Sequence, residues 1–239
     1  PSLDVLAATR AALRLPSEIP QIVLRNPIPL PEAQEAYAPC AIDESGLLFI
    51  GRFDRHKGGD TVLAAFDILA RSHLSASLTF VGPDRGLIQK DGTRRHIEDA
   101  VSELASETRR RIRYLGQRNS AEIQDLRHGH AVTIIASRYE ILGYTMLEAM
   151  AHGSALVATN VGGPAEVLRD EETALLVPPD DPQAMAAACA RLLNDPGLRS
   201  RLGRAAQEVV RREFQPAVVA NQMVAFLKDV VARHAETRR

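Results

Sequence analysis

The chain has 239 residues, of which 45% are hydrophobic and 25% are charged, and its formal net charge is −1 at pH 7. This composition is typical of a globular protein with one large or two small domains, and the near-neutral charge argues against a dedicated nucleic-acid-binding protein. Because no apolar run approaches the roughly 18 residues that span a bilayer, and the first residues lack a secretory pattern, we expect neither a transmembrane segment nor a leader.

Residues 1–40 are rich in proline and show no sustained hydrophobic period, although a short helix is predicted over 3–15. We expect this stretch to be a linker or the end of a preceding N-terminal domain. The remainder, residues 41–239, is expected to form one domain that ends in helices.

From about residue 44, short apolar runs alternate with helical patterns. The predicted strands are 47–51, 78–82, 112–115, 132–136, 155–159 and 174–177. The predicted helices are 60–72, 93–108, 121–128, a helix from 144, 164–168, 182–194, 198–214 and 217–234. This alternation predicts right-handed crossovers and a Rossmann-like, doubly wound parallel sheet of the α/β class, covered by helices on both faces.

Two glutamates separated by seven residues are the most informative feature of the chain. Glu140 follows the apolar run 132–136, and Glu148 lies roughly one turn into the helix that follows Gly143. In an open α/β sheet, ligands bind at the carboxyl ends of the strands, and helix N-termini favour phosphate. Two carboxylates there can hold hydroxyls of a sugar and of a ribose, which predicts a nucleotide-sugar site. The alternative is one capping and one solvated glutamate.

The turn at residues 51–59 joins the first predicted strand to its helix. A glycine-rich turn of this kind is expected to offer backbone N–H groups to an anion, while Arg52 and Lys57 offer two charge-assisted contacts to a diphosphate. A solvated basic loop is the alternative. The turn matches neither a Walker A motif nor the dinucleotide-binding fingerprint.

Other polar motifs have simpler explanations. The glycines at 162–163 either admit a ligand or make a tight turn. The histidines at 128 and 130 lack a third metal ligand, and the aspartates at 180–181 are expected to cap a helix. The arginines at 109–113 are expected to complement a helix dipole, and Cys40 and Cys189 to be reduced thiols of a cytoplasmic protein.

A series of motifs occurs in a fixed order along the chain. They are Gly51-Arg52 with Lys57-Gly58; Val81-Gly82; Leu115-Gly116; Glu140 with Glu148; the run from Glu148 to Gly153; Gly162 to Glu166; and Leu175 to Asp180. In this order they resemble the C-terminal, donor-binding domain of the family 4 retaining glycosyltransferases, which have the two-domain GT-B architecture. The resemblance extends from about residue 26 to residue 214.

The resemblance implies roles for individual residues. Arg52 and Lys57 would neutralise the donor diphosphate as the glycosidic bond breaks, Glu140 would hold a hydroxyl of the transferred sugar, and Glu148 would bind the ribose. Arg52, Lys57 and Glu140 would therefore be the catalytic residues. The further donor contacts that it implies are Gly51, Gly82, Gly116, Gln117, Arg118, Leu142, Gly143, Tyr144 and Thr145. Neither a metal nor another cofactor is implied.

The chain departs from the family pattern at three places. Ile141 stands where the family usually has glycine, which changes the shape of the sugar pocket. Ala136 replaces a usual proline, and His130-Ala131 replaces a usual alanine-aspartate pair. The last two departures concern packing more than chemistry.

The resemblance also implies that the acceptor site lies on an N-terminal domain, which residues 1–40 are too few to form. We therefore expect the chain to bind a nucleoside-diphosphate sugar but to transfer little of it alone. Any membrane association is expected through that other domain. The alternatives are a non-catalytic nucleotide-binding module and a GT-B nucleotide-sugar epimerase, and a dinucleotide-dependent oxidoreductase is disfavoured because its glycine fingerprint is absent.

Overall fold

A computed structural model describes residues 2–16, 19–31 and 42–237. Cys40 and the expected domain boundary lie outside these ranges. Over the described residues the chain forms eight strands, which are β1 (Asp43–Ile50), β2 (Ser77–Val81), β3 (Leu87–Ile88), β4 (Arg94–Arg95), β5 (Ile112–Gly116), β6 (His130–Ile135), β7 (Ala155–Thr159) and β8 (Leu175–Val177). Six of them form one parallel sheet in the order β5-β2-β1-β6-β7-β8, which confirms the predicted class.

The helices described are α1 (Leu3–Leu13), α2 (Gly59–Ala70), α3 (Ile97–Ser102), α4 (Ser106–Arg109), α5 (Ser120–Gly129), α6 (Tyr144–Ala151), α7 (Gly162–Val167), α8 (Pro182–Asn194), α9 (Pro196–Glu213) and α10 (Pro216–Thr237). None of these helices is both long and apolar enough to cross a bilayer. Helices α2 and α8 pack together on one face of the sheet, and α6 and α9 pack on the other. Because side chains alternate along a strand, Val157 joins the first layer and Leu156 the second.

The order of the strands determines where a ligand can bind. From β1 the sheet grows through β2 to β5 on one side, and from β6 through β7 to β8 on the other. The order therefore reverses between β1 and β6, and in open α/β sheets the crevice at such a reversal is the usual binding place. The loops that follow β1 and β6 both open into it.

The sequence prediction of one helix over residues 93–108 is wrong. Strands β3 and β4 form a hairpin, and two short helices follow it. The side chain of Asp91 accepts hydrogen bonds from the amide and the hydroxyl of Thr93, which favours a turn over a helix. The helix begins only at Ile97, whose amide donates to Asp84 at 3.1 Å.

Two arginines of the 109–113 cluster lie at the ends of helices, as expected. Arg111 donates to the carbonyl oxygens of Ala70, His73 and Leu74 at 2.8–3.0 Å, beyond the C-terminal end of α2. Arg109 donates to the carbonyl oxygen of Ser102 at the end of α3. These cations meet the negative ends of the helix dipoles.

Candidate functional site

The loop between β1 and α2 is organised by Asp54. Its Oδ1 accepts a hydrogen bond from the amide of Lys57 at 2.8 Å, and its Oδ2 forms an ion pair with Arg52, 2.7 Å from Nε. The ring of Phe53, which is fully buried, packs against Phe80 with ring centroids 6.0 Å apart. Asp54 was not among the predicted site residues, although aspartate is typical of turns because its side chain bonds nearby backbone amides.

Several amides of this turn already donate to protein acceptors. The amide of Gly51 donates to the Val81 carbonyl at 2.8 Å, and that of Phe53 donates to Pro83 at 3.0 Å. The end of β1 is joined in this way to the loop after β2. The side chains of the loop also carry positive charge, and Arg52 has 49% of its side chain exposed.

Lys57 and Glu140 form an ion pair across the reversal of strand order. Nζ of Lys57 contacts Oε2 of Glu140, and both side chains are partly buried. They line a small cavity together with Ser137, Gly143 and Thr145. Because burial strengthens the attraction of unlike charges, each side chain fixes the position of the other. Glu140 is therefore neither a helix cap nor a solvated carboxylate.

Helix α6 points its N-terminus into the same cavity. Gly143 precedes the helix and gives it no side-chain cap. Within the described ranges, the amides of Tyr144 and Thr145 donate to no protein acceptor. Unsatisfied amides at the positive end of a helix dipole attract anions. Gly143 also leaves space for Glu140, because a Cβ at residue 143 would lie 3.1 Å from the Glu140 side chain.

The loop that carries Glu140 is held in place by backbone contacts with α7. The amide of Gly163 donates to the Glu140 carbonyl at 2.8 Å. A Cβ at Gly162 would lie 2.3 Å from that same oxygen, and a Cβ at Gly163 would lie 1.9 Å from the Ile141 carbonyl oxygen. The two glycines thus permit close packing between this loop and the backbone of α7, which is neither of the two explanations considered above.

Arg138 fixes the same loop from the other side. Its guanidinium donates to both carboxylate oxygens of Asp60 at 2.9 Å and lies 2.6 Å from Oδ1 of Asp180. The bond to Asp60 raises the pKa of Arg138. Asp180 was expected to cap a helix, but Asp181 alone does so, through the amide of Ala184 at 2.9 Å.

Glu148 lies on α6 and is bonded to a buried arginine. Nη2 of Arg127, from α5, donates to Oε2 of Glu148 at 2.6 Å. The arginine side chain is 2% exposed and that of Glu148 is 42% exposed. Burial lowers the pKa of Arg127, and the charge of Glu148 opposes that change. The carboxylate of Glu148 is therefore held by Arg127 through one oxygen, while part of the side chain is exposed to solvent.

The exits of β2 and β5 complete this edge of the sheet. The amide of Gly82 donates to the Gly116 carbonyl at 2.9 Å, and the hydroxyl of Tyr114 donates to the Gly82 carbonyl at 3.1 Å. Burial raises the pKa of Tyr114, which keeps this hydroxyl a donor. Gln117 is exposed, and Arg118 beside it donates to the Gln117 carbonyl at 2.9 Å.

A family model described as Glycosyl transferases group 1 matches residues 41–209. The chain belongs to this family. It is 32% identical over 176 residues to a glycogen synthase of Mycobacterium tuberculosis, across 73% of this chain and 40% of that protein.

Two solved structures have a similar fold. A sucrose-phosphate synthase of Thermosynechococcus elongatus matches 95% of this chain and 49% of its own, with a TM-score of 0.66 and 31% identity. HepE of Anabaena, solved with UDP and glucose, matches 87% of this chain and 56% of its own, with a TM-score of 0.67. HepE is 20% identical and supports the fold alone. The neighbours have the GT-B architecture, and the chain spans about half or less of the first relatives found.

Most of the site residues predicted from the sequence lie at the carboxyl ends of the strands of the parallel sheet. Lys57, Glu140, Gly143 and Thr145 line the cavity between β1 and β6. Leu142 does not reach it, because its side chain is buried in the core beneath α6, so it can meet a ligand only through its backbone. The other predicted residues lie at the carboxyl ends of strands or on the helix that follows β6: Gly51 and Arg52 after β1, Gly82 after β2, Gly116, Gln117 and Arg118 at the end of β5, and Tyr144 and Glu148 on α6.

The histidines of this glycosyltransferase chain have structural contacts. His130 lies 2.8 Å from the Thr79 hydroxyl through Nε2 and 2.6 Å from the Leu126 carbonyl through Nδ1. The rings of His128 and His152 have centroids 5.0 Å apart. In the part of the chain that the structure describes, no group of three or more His, Cys, Asp or Glu is placed to hold a metal.

Two partly buried histidines, His130 and His152, are expected to make the stability of the protein depend on pH. Burial lowers the pKa of His130 and of His152 below 6.5. Below pH 6.5 the unfolded chain therefore takes up protons that the folded chain does not. The free energy of unfolding should decrease as the pH falls from about 6.5, by at most about 1.4 kcal/mol per pH unit for each histidine. Urea denaturation at pH 7.5, 6.5 and 5.5 measures the change.

Two variants separate this effect from the titration of carboxylates. In a His130→Gln, His152→Gln double variant the loss of stability between pH 6.5 and 5.5 should become smaller. The exposed His56→Gln variant is the matched control, and its pH dependence should equal that of the parent. An unchanged slope in the double variant would contradict the assignment.

Proposed function

We propose that the crevice between β1 and β6 binds a nucleoside-diphosphate sugar, and that this chain is the donor-binding half of a retaining hexosyltransferase. The observation that carries the proposal is the Lys57–Glu140 ion pair at the reversal of strand order, next to the uncapped N-terminus of α6. Few arrangements place a cation, an anion and unsatisfied amides within one cavity. A diphosphate joined to a sugar complements all three.

In the proposed reaction, the positive groups stabilise the leaving diphosphate. Lys57, Arg52 and the amides of Tyr144 and Thr145 would face the phosphates, and negative charge grows there as the bond to the sugar breaks. Groups fixed in advance around such charge lower the barrier. When Lys57 contacts the phosphate instead of Glu140, the Glu140 carboxylate can accept a hydrogen bond from a sugar hydroxyl. These groups are proposed to balance the charge without a metal ion, and Glu148 to bind the ribose.

The acceptor site is proposed to lie on a second domain. The chain covers 40% of the glycogen synthase and 49% of the sucrose-phosphate synthase to which it is similar. A two-domain enzyme would bring an acceptor over this crevice, so the present chain by itself is expected to bind donor and to transfer little. We propose a cytoplasmic enzyme without a nucleic-acid partner. HepE was solved with UDP, which makes a uridine nucleotide the first ligand to test.

Calorimetric titration with UDP, GDP and ADP tests the proposal. We expect one of the three to bind the chain, and Arg52→Ala to weaken that binding roughly 10- to 150-fold, the range for a hydrogen bond to a charged group. Arg55→Ala, an exposed arginine of the same loop, is the matched control and should bind like the parent. Failure of all three nucleotides to bind, or equal affinity of both variants, would contradict a donor site here.

A further inference from the structure

Arg127 is an unusual residue for a helix surface, because its guanidinium is almost completely buried. Its Nη2 donates to Glu148 at 2.6 Å, whereas its Nε is buried and, among the residues described, has no partner. Burying a cation is costly, and an ion pair of this kind adds little to stability compared with apolar residues of similar size. The arrangement therefore suggests a role other than holding α5 to the core.

The geometry of the pair leaves one oxygen of Glu148 available. Arg127 contacts Oε2, and Oε1 accepts no hydrogen bond from any residue within the described ranges. The main chain of Glu148 is also fixed, since its carbonyl oxygen lies 2.7 Å from Nδ1 of His152. An exposed glutamate side chain normally loses rotamer freedom when it binds a ligand. Here the arginine has already restricted that freedom.

We propose that Arg127 is a positioning residue, which holds Glu148 so that Oε1 faces the ribose hydroxyls of the bound nucleotide. The inference rests on the proposed function. Arg127 itself does not touch the nucleotide, because its side chain is covered by protein. When the ribose covers Glu148, the buried guanidinium still pairs with its carboxylate, and hydrogen bonds to a charged acceptor are the stronger ones.

Other groups near the pair do not replace this cation. Burial lowers the pKa of His152, and the charges of Arg127 and His128 lower it further. The imidazole of His152 therefore stays neutral at pH 7, and its Nε2 is a buried atom without a partner in the described part of the chain. Arg127 is the cation bonded to Glu148.

The test compares nucleotides that differ only in the ribose. Calorimetry would measure the affinity of UDP (or of GDP or ADP, if the first titrations select that base), of its 2′,3′-dideoxy analogue and of inorganic pyrophosphate. The parent should prefer the ribose form by roughly tenfold or more. Arg127→Met should reduce this preference to less than about threefold, while the dideoxy analogue and pyrophosphate bind as in the parent.

Three further variants complete the experiment. Glu148→Gln should lose the preference to a similar degree, and Arg127→Lys, which keeps the charge but has a shorter reach, should lose part of it. Arg199→Met removes another buried arginine, one that contacts Glu44 away from the site, and should lower the melting temperature without changing ribose preference. Because Arg127→Lys keeps the positive charge beside Glu148, its ribose preference can still be measured if Arg127→Met does not fold.

The possible failures are distinct. If the parent binds none of the nucleotides, both the proposed function and the role of Arg127 are wrong. If the parent binds UDP with a clear ribose preference and both Arg127 variants keep that preference, the positioning role is wrong and the proposed function stands. Loss of affinity for pyrophosphate in Arg127→Met would also contradict the positioning role, because it would indicate a general disturbance of the site.

Discussion

Replacing Lys57 by methionine is expected to weaken nucleoside-diphosphate binding roughly 10- to 150-fold, or about 1.5–3 kcal/mol. Methionine has a similar length but no charge, so the partly buried carboxylate of Glu140 loses its partner. The site then both lacks an attractive group and keeps a negative charge that repels phosphate. Calorimetry with the nucleotide selected above measures the effect.

Comparison with Glu140→Gln shows whether loss of the Lys57 charge causes the weaker binding of the nucleoside diphosphate. This variant removes the negative charge and should bind the nucleoside diphosphate as tightly as the parent or more tightly. It should bind the corresponding nucleotide sugar more weakly, since the proposed contact with the sugar hydroxyl loses its charge. Lys90→Met, at an exposed lysine in the turn between β3 and β4, controls for loss of one lysine. Equal binding by the two lysine variants would contradict the proposed site.

The sheet could be predicted from the sequence because its strands are short buried runs separated by helices. Apolar runs such as 132–136 can be recognised as strands from the local sequence alone. The helices between them imply crossover connections, and these make the strands parallel. The hairpin of β3 and β4 was missed for a local reason. Its strands have two residues each, too few to show a period, and the turn depends on the side chain of Asp91.

The site was predicted in part for a related reason. Lys57 and Glu140 belong to motifs that are visible within a few residues of sequence. By contrast, the roles of Arg127 and Arg138 depend on partners that are distant in the chain. Arg127 bonds to Glu148, 21 residues away, and Arg138 to Asp60, 78 residues away. In a chain rich in arginine, nothing local shows which guanidinium is buried. Such residues are found only when the fold brings their partners together.

Replacing Gly163 by alanine is expected to destabilise the protein by about 2–4 kcal/mol, in the range of severe overpacking. Helix propensity alone predicts the opposite sign, since alanine is favoured over glycine by up to about 1 kcal/mol within a helix. The difference arises because the new Cβ would lie 1.9 Å from the Ile141 carbonyl oxygen. That neighbour is backbone and cannot move away as a flexible side chain would. Urea denaturation measures the free energy of unfolding.

Gly129→Ala is the matched control, because nothing lies within 4 Å of a Cβ built at that glycine of α5. It should be neutral or slightly stabilising. The loop that Gly163 contacts carries Glu140, so Gly163→Ala should also weaken nucleotide-sugar binding, whereas Gly129→Ala should not. Equal stability of the two variants would mean that α7 does not approach this loop closely in the folded protein. The support for Glu140 would then have to come from Lys57 and Arg138 alone.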